Sequence, residues 1–439
     1  MKNFIVKFLL GSIGSLFLLF SLACRSKQEK ANLVTQNNSE LGYPKPIKLT
    51  SGPGYHWFGY YDKLQVDPSG RYVLGMKVDF EGRSPVAEDT LEIGMVDLKA
   101  NNKWITLGKS NAWGWQQGCM LQWRPGSKNE VVWNDREGDS FVSRVYNIET
   151  QKMRTLPRPI YTLSNDGSFA LGTEFNRIQD LRPGYGYPGI PDPYASVNAP
   201  KDIGIYRMDL ETGDNQLIIS MADMANIPKN GETLENYWHY FNHLLIAPDN
   251  ERFVFLHRYR RAKVTEDIQG ENPFITRMFT ANINGGDPYL LDPSGNTSHF
   301  IWNGNDKICA WTRPEGRPDG FYMLHDKSDT IEPIGKGVMT ANGHNTYVPN
   351  TNNEWILNDT YPKDDRKQEL YLYHLPTKAR TELGRFFSPE EYTGEWRCDL
   401  HPRSDRDGNW AIFDSTHDGD GRQMYMVNIE RIIEDRLEN

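Results

Sequence analysis

One pattern recurs seven times along this chain and leaves few folds open to it. Each copy is an extended run, a turn built from Pro, Asp, Asn and Gly, and then an apolar run. The turns are Asp67-Pro68-Ser69-Gly70, Arg124-Pro125-Gly126, Ser164-Asn165-Asp166-Gly167, Ala247-Pro248-Asp249-Asn250, Trp302-Asn303-Gly304-Asn305, Pro349-Asn350-Thr351-Asn352 and Asp405-Arg406-Asp407-Gly408. Apolar runs such as Val131-Val132-Trp133, Phe253-Val254-Phe255-Leu256 and Trp410-Ala411-Ile412-Phe413 come next. A second strand type follows each hairpin, as in Ile205-Tyr206-Arg207-Met208-Asp209-Leu210 and Met424-Tyr425-Met426-Val427-Asn428-Ile429. Seven paired motifs, spaced by roughly 40–60 residues, predict an all-β fold, a seven-bladed β-propeller with four strands per blade. A β-sandwich does not repeat in this way. The one helix expected is a short turn over 429–437.

Composition narrows the function. The chain has 439 residues, 38% of them hydrophobic and 24% charged, too apolar for disorder and too polar for a multispan membrane protein. A formal charge of −9 argues against a non-specific nucleic-acid binder, so no nucleic-acid partner is expected. The N-terminus is a targeting segment. Lys2 and Lys7 precede an apolar run from Phe8 to Phe20, and Ser21-Leu22-Ala23-Cys24 puts a small residue before a cysteine. This pattern predicts a lipoprotein signal peptide over 1–23 with a relaxed lipobox and lipidation at Cys24. A polar tether over 24–44 and the propeller over 45–439 would follow. An ordinary secretory signal or an uncleaved anchor is the alternative. The expected location is outside the cytoplasm, lipid-anchored to a bacterial membrane. Cys119, Cys309 and Cys398 remain, an odd number, so a disulfide framework is not the reading. At least one thiol is then buried, free or a metal ligand.

Histidine marks one register. The residue six before the turn is His in four consecutive repeats: His243, His299, His344 and His401. Blades are radial copies, so equivalent positions ring one end of the channel. A ring of neutral imidazoles suits a divalent metal. Cys398 and Asp359 lie near it in sequence, and a Cys/His/Asp set favours Zn²⁺, with Mn²⁺ and Ca²⁺ as alternatives. Cys398 as a buried apolar residue and Asp359 as a turn cap are the rival readings. An irregular insertion, Leu181-Arg182-Pro183-Gly184-Tyr185-Gly186-Tyr187-Pro188-Gly189, is where binding residues concentrate, although either Tyr can equally pack on a neighbouring blade. Tyr237-Trp238-His239-Tyr240-Phe241-Asn242-His243 offers aromatic faces for sugar rings, and Arg258 closes that repeat with a guanidinium suited to carboxylate or sulfate.

Several chemistries drop out. The chain has no Gly-x-Ser-x-Gly element, no Walker A loop, no dinucleotide fingerprint and no sialidase-type box. What remains resembles a known family. Phe58-Gly59-Tyr60-Tyr61-Asp62, Arg182-Pro183-Gly184-Tyr185-Gly186-Tyr187, Asn242-His243-Leu244, Asn358-Asp359-Thr360-Tyr361-Pro362 and Arg397-Cys398-Asp399-Leu400-His401-Pro402-Arg403 are similar to segments of seven-bladed propeller polysaccharide lyases. These are the oligogalacturonate lyases and the propeller ulvan lyases. The resemblance implies β-elimination on a uronic-acid-containing polysaccharide or oligosaccharide, near a bound divalent metal. It implies Tyr185, His239, His243 and Arg207 as catalytic residues. Tyr187, Trp238, Arg258 and His299 would bind substrate, and His344, Asp359, Cys398 and His401 would hold the metal. One departure stands out: Gly118-Cys119-Met120-Leu121 precedes Gln122-Trp123, where ulvan lyases carry a His. A non-catalytic glycan-binding or TolB-like scaffold propeller fits the hairpins alone.

Overall fold

The structure is a computed structural model that describes residues 35–36, 45–229, 231–263 and 274–437. The expected signal peptide, Cys24 and most of the tether lie outside the described residues. Seven sheets follow one another in chain order: five are built from consecutive antiparallel strands, the sixth also carries Thr35–Gln36 parallel to its outer strand, and the seventh takes its outer strand from Ile47–Lys48. They cover 55–110, 122–156, 162–220, 238–295, 300–334, 346–387 and 403–428, and we call them blades one to seven. The seven turns read from the sequence each join the first and second strands of a blade. In blade one, for example, Asp67 accepts from Ser69, Arg71 and Tyr72 and so closes its turn.

Two features close the ring. Ile47–Lys48 pairs antiparallel with Tyr425 and Met426. The N-terminal side of the propeller thereby supplies the outer strand of blade seven, whose three inner strands come from the C-terminal end. Leu49 extends the contact, donating its N–H to Met424 O (2.8 Å) and burying its side chain. A helix over Glu430–Leu437 follows blade seven, close to the expected position.

The insertion of blade three is more ordered than an extended loop. It opens with a helix, Phe175–Leu181, whose Arg177 is wholly buried. That guanidinium pairs with Asp192 (2.8 Å) and donates to the backbone oxygens of His239, Val197 and Asn198. The insertion is thus tied to the first strand of blade four. Gly184 O accepts from Gln116 N (3.0 Å), which seats the same loop against the 111–121 segment leading into blade two. Tyr185 is carried to the channel between these two anchors.

Candidate functional site

The four register histidines meet. His299 and His344 have ring centroids 4.1 Å apart, as do His344 and His401. His243 faces them across Tyr60, whose ring lies 5.1 Å from His243 and 5.2 Å from His401. His243 and His401 have φ of 52° and 43°, in the left-handed region. In blade four this coincides with a bulge between Asn242 and Leu245 that breaks the strand's alternation and turns His243 into the channel. A non-glycine residue in that region costs on the order of 1 kcal/mol, which the surrounding packing sustains.

Tyr60 comes from a plug that the register did not reveal. Residues 58–63 leave the first strand of blade one and cross the channel. The N–H groups of Phe58 and Gly59 donate to the Asp414 carboxylate, which is paired with Arg403. Gly59 has φ of 108°, and a Cβ there would meet the Gln117 backbone at 3.0 Å. Tyr61 Oη donates to Phe300 O and accepts from Phe300 N, both at 3.0 Å. The plug explains why all four register histidines are buried. Burial holds their imidazoles neutral, with His344 pushed down to about 3.

The metal-binding expectation is half corrected. His344, Asp399 and His401 offer ligand atoms that all lie within 4.8 Å of one another. Cys398 is not among them. In an extended segment alternate residues share a face, so Asp399 and His401 point one way and Cys398 the other. Its buried thiol instead feels Arg422, Asp414 and Glu81. Asp359 lies outside that group too. It accepts from His344 Nδ1 (3.0 Å), His344 N (2.6 Å) and His401 N (3.1 Å), so it orients the ligands. Burial, the leading effect, pushes the Asp359 carboxyl up to about 7 against those donors. The group fits a divalent cation on its own chemistry: Asp399 Oδ1 is buried with no hydrogen-bond partner among the described residues, and the His344 Nδ1 bond to Asp359 leaves Nε2 for the ion. Without the thiolate, the reason for preferring Zn²⁺ is gone. Two imidazoles and a carboxylate also suit Mn²⁺.

Tyr185 reaches the ring, with its centroid 5.9 Å from that of His243. Its hydroxyl accepts from Arg397 Nη2 (2.9 Å), and Arg182 lies over its ring at 4.3 Å. Burial pushes the phenol up, but Arg397 and Arg182 outweigh it and bring it down to about 8. Arg258, expected to bind substrate, is buried nearby, and its Nη1 has no hydrogen-bond partner among the described residues, nor have Nε and Nη1 of Arg182. The two guanidiniums stand 4.7 and 4.3 Å from the Phe274 ring. His299 is in the ring too, bonded through Nδ1 to Asn342 Oδ1 (3.0 Å).

Four other expected site residues are placed outside the histidine ring. His239 points away from the channel and is sealed between His257 Nε2 and Leu234 O, both at 2.8 Å. Arg207 pairs opposite Leu171 and Gln216 in mid-blade and lies over Phe169, away from the ring. Tyr187 is core: it stacks on Phe175 at 4.2 Å, and its hydroxyl accepts from Asn134. Trp238 packs under Lys263 and Arg177 at the start of its strand. Sequence reasoning passed over Tyr60, Arg182, Arg397 and Asp399 as site residues. The i, i+2 spacing of Asp399 and His401 was the available signal for the last.

No protein-family model matches the sequence, and no curated protein is similar to it. Solved structures do match its shape. An oligogalacturonate lyase from Vibrio parahaemolyticus superposes with a TM-score of 0.59 at 13% identity, over 87% of this chain and 93% of that one. An oligogalacturonate lyase in complex with manganese gives 0.59 at 12%, over 88% and 93%. TolB from Acinetobacter baumannii gives 0.38 at 12%, over 71% and 63%. At such identities the two lyase matches establish the propeller fold.

Proposed function

We propose that this propeller is a polysaccharide lyase that cleaves a uronic-acid-containing glycan by β-elimination. The observation that carries the reading is Tyr185, a buried phenol drawn down to about 8 and set beside His243. Elimination needs a base for the proton α to the uronate carboxyl group and an acid for the leaving oxygen. A phenol with this lowered affinity for its proton suits the first task near neutral pH. The N–H groups of Arg182 and Arg258 that have no partner among the described residues support an anionic substrate, because a buried guanidinium without an anion beside it is costly. The likeness to oligogalacturonate lyases agrees with this class.

His344, Asp399 and His401 would hold the divalent cation. When bound, such an ion supplies Lewis-acid polarisation of the carboxyl group. Asp359 keeps the two imidazoles in place, Tyr185 takes the proton, and the plug keeps bulk water out of the ring. The reading also keeps the protein anchored through lipid at Cys24 on a bacterial membrane, where a polymeric substrate is met.

The test is ultraviolet absorbance after mixing the protein with uronate polysaccharides and oligosaccharides, with and without chelator. A new conjugated-alkene band that chelator suppresses is the expected result. Binding without any such band would overturn the lyase reading in favour of a glycan-binding propeller.

A further inference from the structure

The hydrogen bonds around His243 fix where its single proton sits. Tyr60 Oη lies 2.5 Å from His243 Nδ1, and Tyr60 is buried. Its hydroxyl has no other hydrogen-bond partner among the described residues than this imidazole. A buried O–H needs an acceptor, so Tyr60 donates and Nδ1 accepts. A second chain of bonds agrees independently. Tyr161 Oη donates to Gln117 Oε1 (2.8 Å). With its oxygen so engaged, the Gln117 amide turns Nε2, a donor, toward His243 Nδ1 at 3.5 Å. Two donors thus face the same ring nitrogen. Burial keeps the imidazole neutral, with Arg258 and Arg182 acting in the same direction.

We propose that Tyr60, with the Gln117–Tyr161 pair behind it, locks His243 in the tautomer protonated at Nε2, making it the proton donor of the site and Tyr60 its positioning residue. The assignment of a reaction to that proton rests on the elimination reading; the tautomer does not. In the elimination, the Tyr185 phenolate takes the C5 proton. The C5–H electron pair becomes the C4–C5 double bond, and the C4–O4 bond breaks with its pair on O4. The Nε2 proton passes to O4 while the Tyr60 proton moves to Nδ1, so the ring stays neutral throughout. Tyr185 ends protonated and Tyr60 ends as phenolate. Once the product leaves, the Tyr185 proton passes to His243 Nε2 while the Nδ1 proton returns to Tyr60, which restores all three groups. The arrangement gives the two phenols opposite tasks.

The experiment is long-range proton–nitrogen correlation NMR of the intact protein labelled with ¹⁵N-histidine at neutral pH. The His243 signals are identified by their loss in His243→Gln. The expected spectrum shows Nε2 protonated and Nδ1 bare, and Tyr60→Phe with Gln117→Leu converts it to a mixture of tautomers. A proton on Nδ1, an imidazolium, or a tautomer unmoved in the double variant would each overturn the proposal. Tyr60→Phe alone should lower kcat by about 10–100-fold with KM unchanged, the usual loss when an orienting partner is removed. A wild-type chain that shows the Nε2 tautomer yet eliminates nothing sinks the lyase reading and leaves the lock standing. Elimination with Nδ1 protonated does the reverse.

Discussion

In the proposed elimination, Tyr185 and Asp399 are the two side chains on which the chemistry turns, and each makes a separate prediction. As a base, Tyr185 must lose its proton, and its phenol titrates at about 8. The value of kcat/KM should therefore fall about tenfold per pH unit below that point and level off above it. Tyr185→Phe removes this limb. Arg397→Gln removes one of the two charges that hold the phenol down, so the limb moves to higher pH; a pH–rate profile reads both. Asp399 offers a bare, buried Oδ1 to the ion, so Asp399→Asn should weaken Mn²⁺ binding by at least tenfold in titration calorimetry. Cys398→Ser should leave the same affinity unchanged, since its thiol lies outside the cluster of ligand atoms. These two residues differ by one position in sequence, and only the direction of the side chain separates a ligand from a bystander.

At the scale of elements, the insertion of blade three decides whether Tyr185 is placed at all. Arg177 alone joins the helix over Phe175–Leu181 to Asp192, to the 197–198 backbone and to His239 O. Arg177→Met leaves Asp192 buried and unpaired, which costs about 3–5 kcal/mol. Denaturant unfolding should show that loss. Elimination should fall as far as in Tyr185→Phe, even where the variant stays folded. The plug works by a different device. Gly59 sits against the Gln117 backbone with φ of 108°, so a side chain there would displace Tyr60 and Tyr61 together. Neither element announced its role. The insertion was visible as a Gly- and Pro-rich interruption, but Tyr185 and Tyr187 looked alike in it. One lies against His243 and the other stacks on Phe175. Likewise His239 and His243 sit four apart on one strand, and the bulge at His243 sends them to different surroundings.

For the molecule as a whole, closure is the main stability question. A propeller without closure has two open sheet edges, and this one joins its ends through Ile47–Lys48 on blade seven. Leu49 is 3% exposed at that seam. Leu49→Ala should cost about 2–5 kcal/mol and lower Tm, with the site's tyrosines and histidines untouched. A seam variant that melts early but retains kcat at low temperature would show closure and catalysis to be separable.

The sequence by itself determined the number of blades, the turns that join their strands and the register that carries His243, His299, His344 and His401. These are local, repeated signals: turn chemistry and alternation act within a few residues, and radial repetition copies them around the ring. What the tertiary structure decided is which neighbours of that ring belong to it. Asp399 rather than Cys398, Arg182 and Arg397 rather than Arg207, and Tyr60 from the far side of the channel all depend on side-chain direction. That direction is set by bulges, left-handed backbone positions and contacts between residues as far apart as 58 and 414. Such contacts leave no periodic trace in the chain, because their energy arises only once the blades have closed around the channel.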